Sequence, residues 1–164
     1  MALCPRKIPL VPTPYTAAIA LGSNLGDREG NLRAAILRIR SLGAISAVST
    51  FHRTAPVGLT DQPEFLNAAL LLQTTRPPAE ILKKLLAIER SLGRDRSHST
   101  PNGPRTLDLD LLLAGNTVLH TPDLTLPHPR MHQRRFVLAP LAEIAPDMVH
   151  PALHQTIHQL LATL

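Results

Sequence analysis

The sequence predicts an α+β fold of the ferredoxin-like type. It expects a βαββαβ core, an antiparallel sheet with two helices packed on one face, and extra helices at the C-terminus. Three observations carry this. Residues 27–42 and 77–92 place their apolar residues at helical intervals. Short apolar or alternating runs, the length of strands, lie before, between and after them. The order of these segments is strand, helix, strand, strand, helix, strand.

Tyr15 to Leu21 is an apolar run closed by Gly22, which suits a buried strand. Asp27 to Leu42 follows as a helix, with Leu32, Ala35, Ile36, Ile39 and Leu42 on one stripe and Gly43 as its stop. Ile45 to Arg53 alternates weakly and reads as the second strand. Val57 to Pro63 is a loop, and Phe65 to Thr74 is the third strand. Pro77 and Pro78 open a helix that turns Ile81, Leu82, Leu85, Ile88 and Leu92 to the core and ends at Gly93. Arg94 to Pro104 is polar and turn-rich, a loop by composition. The strand Leu107 to Leu113 comes next, then a Gly115-Asn116 turn before Val118 and Leu119. Met131 to Ile144 reads as a helix broken at Pro140, and Leu153 to Leu164 as a final amphipathic helix. Residues 1–15, with Pro5, Pro9, Pro12 and Pro14, read as a Pro-rich extension, and residues 16–164 as a single domain.

Composition narrows the function classes. The 164 residues suffice for one buried core, and 44% apolar residues is near the globular average. No run is apolar and long enough to span a bilayer. The N-terminus lacks the uninterrupted apolar stretch of a secretory signal. The single cysteine, Cys4, excludes an intrachain disulfide and is compatible with a reducing cytoplasm. A net charge of +5 points to a polyanionic partner such as a nucleotide, nucleic acid or membrane surface. Half of the arginines fall between Arg90 and Arg135. Arginine offers a planar fork to phosphate oxygens.

The centre of that cluster is the segment Gly103-Pro104-Arg105-Thr106-Leu107-Asp108-Leu109-Asp110-Leu111-Leu112-Leu113. Its period of two puts Leu107, Leu109, Leu111 and Leu113 on one face and Asp108 and Asp110 on the other. Two carboxylates ~7 Å apart on one face repel unless something positive sits between them. A hard divalent cation such as Mg²⁺ takes one or two carboxylates together with phosphate oxygens. With Arg105 three residues upstream, the strand reads as a metal-phosphate platform.

Other segments are less specific. Gly22-Ser23-Asn24-Leu25-Gly26-Asp27 joins a strand to a helix but lacks the Lys-Ser/Thr of a Walker loop. It reads as a tight turn. Glu89 sits beside the apolar stripe of its helix, a helix-end carboxylate within reach of Arg94 and Arg96. His128 stands between two prolines and precedes Arg134 by about two helical turns, a second anion-binding cluster or a basic helix face. His150, His154 and His158 have zinc-like spacing, but Pro151 places His150 outside the helix, so they read as a polar face. With only three Phe, one Tyr and no Trp, stacking surfaces for nucleic-acid bases are few. Phe65 and Phe136 each lie beside a polar cluster, where they serve either the core or a small flat ligand.

Four of these segments, in order and with matching spacing, closely resemble 6-hydroxymethyl-7,8-dihydropterin pyrophosphokinases. They are Ala20 to Asp27; Phe51 to Gly58 with Asp61 to Ala69; Gly103 to Asp110; and Leu126 to Met131 with Arg134 and Phe136. The resemblance runs from about Thr16 to Pro151. It implies an enzyme of folate biosynthesis that moves diphosphate from ATP to the hydroxymethyl group of a reduced pterin, releasing AMP. It implies two Mg²⁺ on Asp108 and Asp110, with Arg94 and Arg105 as further catalytic groups. For ATP it implies contacts from Glu89, Arg94, Arg96, Arg105, Leu111, Thr125, His128 and Arg134. For the pterin it implies Thr54, Val57 and Asn67 at the edge, with Phe65 and Phe136 stacking on the faces. The expected partners are ATP and the pterin alcohol, with no nucleic acid and no membrane, for a monomer in the cytoplasm. The chain departs from the family's pattern at Asn102, often Trp there, and at Pro129 and Phe65, where Tyr occurs. The loop Ser97 to Pro101 is about one residue longer than in some members. The competing readings are a basic ferredoxin-like RNA-binding module and an inactive pterin- or nucleotide-binding relative.

Overall fold

β1 (Tyr15–Ser23) runs through the interior of the sheet, and the rest of the chain is arranged about it. The computed structural model describes residues 12–97 and 100–164. Most of the Pro-rich extension, with Cys4, and two residues of the loop 97–101 lie outside the described residues. α1 (Arg28–Ile39) follows β1, then β2 (Ala44–Val48), β3 (His52–Thr54), β4 (Phe65–Thr74), α2 (Pro78–Ser91) and β5 (Asp108–Ala114). Next come a small ribbon of β6 (Leu119–His120) with β7 (Thr125–Leu126), then α3 (Arg135–Ile144). A second ribbon, β8 (Val149–His150) with β9 (Gln155–Thr156), leads to α4 (Ile157–Ala162). The sheet order is β2-β4-β1-β5, with β3 also on β4, and every pairing is antiparallel. Among the described residues, no helix is long and apolar enough to cross a membrane.

The two sheet faces are covered by different helices. Leu32, Ala35 and Ile39 of α1 and Ile81, Leu85 and Ile88 of α2 pack on Ile19, Leu21, Leu70, Leu72 and Leu109. Val137, Leu138 and Leu141 of α3 and Ile157 and Leu160 of α4 pack on Ala18, Ala69, Leu112 and Leu113. The C-terminal helices therefore close the opposite face of the sheet from α1 and α2.

Several boundaries differ from the sequence reading, each for a local reason. β1 starts at Tyr15, inside the assigned extension, because Tyr15 pairs with Thr74 and its phenol donates to the Arg76 carbonyl. β1 also continues through Gly22, where a Cβ would stand 2.8 Å from Asn67 Oδ1, so only glycine fits beside that amide. The first helix gives way to a 3₁₀ turn at Arg40–Leu42. The expected second strand is two strands, β2 and β3: Ser49 N still donates to the Ala69 carbonyl, but the chain leaves β4 at Thr50, whose N–H turns to Glu143, and rejoins it at His52. The 131–144 helix breaks at Arg134, which is extended, and not at Pro140. A 3₁₀ turn (Met131–Gln133) precedes that break. Pro140 is the sixth of the ten residues of α3, and the helix continues through it without the bond to the Phe136 carbonyl. The last helix is shorter than expected and opens at Thr156 with a capping box to Gln159. His150, His154 and His158 fall on a strand, a turn and a helix, so they share no helix face.

The alternation of β5 also breaks. A bulge lies opposite Ala18 and Ile19, where Ile19 pairs with Leu111 and Ala18 with Leu113. The extra residue, Leu112, turns Leu113 to the face of the C-terminal helices, away from Leu107, Leu109 and Leu111. Asp108 and Asp110 precede the bulge and keep their shared face.

Candidate active site

The face that carries Asp108 and Asp110 opens into a cleft of about 730 Å³ that merges with solvent. β1 gives it Ala20 and Gly22, β3 gives Thr54, and β4 gives Phe65 and Asn67. β5 contributes the two aspartates, and the N-terminal turn of α3 contributes Phe136 and Val137. Loops supply Val57, Asn102, Arg105 and Arg134. The period of two explains the selection. Phe65 and Asn67 point into the cleft while Leu66 between them packs against α1 and α2.

One end of the cleft suits a flat, polar-edged molecule. Phe65 and Phe136 both line it, and Phe136 packs its inner side against the core under the C-terminal helices. The Asn67 amide donates to Thr54 Oγ1, which fixes the orientation of both polar groups. Val57 is 65% exposed on a loop at the rim. An arginine stands over each aromatic ring: Arg105 at 5.3 Å from the Phe65 centroid and Arg134 at 5.6 Å from that of Phe136. The far end of α3 is fastened by Glu143, whose carboxylate accepts from Thr50 N at 2.7 Å and Thr50 Oγ1 at 2.9 Å. His52 Nε2 lies 2.8 Å from the same group. The backbone bond from Thr50 holds the Glu143 carboxyl below its ordinary range. This ties the helix that carries Phe136 to the strand that carries Thr54.

The other end is ionic. Asp108 is bonded to Arg94 and, at 2.9 Å, to Arg105. Glu89 is 1% exposed. It accepts from the Leu109 backbone N–H at 2.8 Å and holds Arg96 through both oxygens, at 2.9 and 2.8 Å. Arg94 reaches it at 3.3 Å. Glu89 is thus an inward anchor for the arginine-bearing loop and not a solvated helix end. Asp110 is pushed up to about 7, first by burial and then by the charges of Asp108 and Glu89. His128 is pushed down by burial and by Arg134. Its Nδ1 accepts from Arg130 N at 3.3 Å, so the proton sits on Nε2, free to donate to an anion. The short ribbon places Thr125 just ahead of His128, and the Leu126-Pro127 bond between them is cis. Leu111 turns its side chain into the core, leaving only its backbone on the strand.

The carboxylate pair fits a divalent cation by its donor chemistry. Two oxygen donors on one face, one of them driven toward neutrality by burial and by neighbouring carboxylates, are a set that a hard cation would complete with phosphate and water. A stability test follows from Asp110. Its folded-state value lies above the unfolded one, so its contribution is full below about pH 4 and is lost as pH rises through about 7. In EDTA, Asp110→Asn should melt several degrees above wild type at pH 8, with the gap closing toward pH 4. A wild-type protein that melts higher at pH 8 would contradict the burial argument.

The sequence reading passed over Asn24, which the structure makes a junction of three loops. Its amide donates to Gln62 Oε1 at 2.9 Å and to the Pro63 carbonyl at 3.1 Å. Its Oδ1 accepts from Arg105 N at 2.8 Å. Asn24 is 2% exposed. A buried asparagine with three satisfied bonds is structural hardware. Its only trace in sequence was a polar residue between the two glycines of the β1–α1 turn. Gln62 extends the junction to the Asn102 carbonyl at 2.8 Å, and Asn102 adopts a left-handed φ of 57°.

Residues 18–146 match the sequence profile of 7,8-dihydro-6-hydroxymethylpterin-pyrophosphokinase. The chain is 48% identical over 130 residues to a 2-amino-4-hydroxy-6-hydroxymethyldihydropteridine pyrophosphokinase of Bacillus subtilis, covering 78% of this chain and 77% of that one. It is 44% identical over 138 residues to the Haemophilus influenzae protein of the same name, covering 83% and 85%. Its fold is similar to that of Plasmodium falciparum HPPK-DHPS solved with pteroate, with a TM-score of 0.73 and 15% identity over 92% of this chain. This chain spans 42% of that longer one. An HPPK-DHPS solved with substrates gives a TM-score of 0.71 at 14% identity, over 92% of this chain and 43% of that one. At such identities the likeness speaks for the fold alone. The profile match and the bacterial relatives, together with the cleft, make this chain a member of the 7,8-dihydro-6-hydroxymethylpterin-pyrophosphokinase family.

Proposed function

We propose that the protein transfers diphosphate from ATP to the hydroxymethyl group of 6-hydroxymethyl-7,8-dihydropterin, a step of folate biosynthesis. The observation that carries this is the two-ended cleft, with aromatic walls and an amide at one end and a carboxylate pair among arginines at the other. A flat pterin slides between Phe65 and Phe136, with Asn67 and Thr54 at its edge and Val57 over the rim. Its hydroxymethyl group then points toward Asp108 and Asp110. ATP lies along the ionic end, its phosphates met by Arg94, Arg96, Arg105, His128 and Arg134. Its adenine lies by the backbones of Leu111 and Thr125. Glu89 serves the nucleotide by holding Arg94 and Arg96 in place.

Asp108 and Asp110 would hold two Mg²⁺, which when bound neutralise the polyphosphate and acidify the alcohol. In the reaction the pterin oxygen bonds to the β-phosphorus and gives up its proton to solvent, while the bond from that phosphorus to the α,β-bridging oxygen breaks and AMP leaves. The protein's share is in-line placement and charge neutralisation by its arginines. We further infer a ferredoxin-like core, supported by the strand order, in one functional domain from about residue 16 that works as a monomer in the cytoplasm.

The test is an ATP-to-AMP assay with the pterin alcohol. AMP should form only with Mg²⁺ and the pterin together, and EDTA should stop it. AMP formation that ignores either component, or none with both, would sink this reading.

A further inference from the structure

We infer that Arg94 and Arg105 hold Asp108 closed to a bare divalent cation, and that a polyphosphate opens it by drawing them away. The inference rests on Asp108 being a cation ligand, as proposed above. Both of its carboxylate oxygens are already taken. Oδ1 accepts from Arg94 Nη1, with Arg96 Nη2 at 3.8 Å, and Oδ2 accepts from Arg105 Nη1 at 2.9 Å. Charge-assisted bonds of this kind shift an equilibrium on the order of tenfold or more each. A cation that approaches Asp108 must break them and then face two displaced positive charges.

The two arginines are anchored so that they can turn without leaving the site. Arg94 Nη1 also donates to the Leu107 carbonyl at 3.2 Å and to Glu89. Arg105 is held by its backbone bond to Asn24 and by Nε to the Gly103 carbonyl at 3.2 Å, while its guanidinium end rests on Asp108 and over Phe65. A triphosphate offers both guanidinium groups a better partner, with more negative charge and paired oxygens. Once they turn to it, Asp108 is bare beside the phosphate oxygens, which is the donor set a hard cation needs. Asp110 differs: among the described residues no arginine is hydrogen-bonded to it. Asp108 is therefore the gated ligand of the pair. Cation and nucleotide binding are coupled through these arginines, each raising the affinity for the other.

The experiment measures binding of Mn²⁺ alone, without nucleotide, by the electron paramagnetic resonance signal of the free ion. Wild type is compared with Arg105→Met and Arg105→Gln, and thermal melts identify which variant is folded. Either folded variant should bind Mn²⁺ about tenfold or more tightly than wild type, because a charge-assisted bond to Asp108 is gone. Adding Asp108→Asn should remove the gain. Unchanged affinity in the folded Arg105 variants overturns the inference, as does a gain that survives Asp108→Asn. Failure of the underlying reading shows elsewhere: wild type would then make no AMP from Mg-ATP and the pterin alcohol, whatever the Mn²⁺ titration gives.

Discussion

Asp108→Ala and Asp110→Ala should each lower AMP formation by ~10³-fold or more, the scale expected when a preorganised charge partner is removed from a phosphoryl-transfer site. The two variants should part company in stability. Asp108 neutralises Arg94, which is only 10% exposed, and Arg105, at 18%. Its loss leaves two guanidinium groups crowded with one fewer anion, and the protein should melt lower. Asp110 is a buried carboxylate whose charged form the fold disfavours, so its removal should leave the melting temperature at pH 8 unchanged or higher. Equal losses of activity with opposite changes in stability separate a catalytic role from a folding defect. Turnover within tenfold of wild type in both variants would end the assignment of the pair as the cation site.

That pair was legible from sequence because a strand's period of two is local. Asp108 and Asp110 needed no tertiary information to share a face, and β4 was read to the residue because its apolar run is bounded by Glu64 and Thr75. The bulge that turns Leu113 away from Leu111 was not legible. It arises from the register against β1, and leucine fills either face equally well. The segment 45–53 failed for a similar reason: weak alternation continues across Thr50 and Phe51, while the pairing with β4 does not. Aromatic side chains carry no label for core or cleft, so Phe65 and Phe136 acquired a site role only through the family resemblance. Asn24 is the clearest miss. Its three partners lie 38, 39 and 81 residues away. No local pattern announces a side chain whose work is to join distant loops.

Glu89 is where the sequence reading and the structure diverge most in consequence. The resemblance offers it as a nucleotide contact, and its local context offers a solvated carboxylate. The structure has it buried, with its oxygens shared among Arg94, Arg96 and the Leu109 N–H. Each partner matters differently. The Leu109 bond pins β5 between Asp108 and Asp110, and the two arginines belong to the loop that would meet the phosphates. Glu89→Ala removes a carboxylate bonded to all three: it strands the Leu109 donor and frees Arg96, while Arg94 keeps Asp108 and the Leu107 carbonyl. Leaving a buried donor unsatisfied costs about 1–3 kcal/mol, or roughly 5 °C of melting temperature for a domain of this size. Glu89→Gln keeps an acceptor for Leu109 and the side-chain volume, so it should recover part of the stability. It cannot hold two arginines, so the nucleotide KM should stay high in the glutamine variant even as the melting temperature recovers. A glutamine variant with wild-type KM would show that Leu109 alone is what Glu89 serves. A glutamate-to-alanine variant that melts with wild type would show that the buried network does not hold this end of the sheet together.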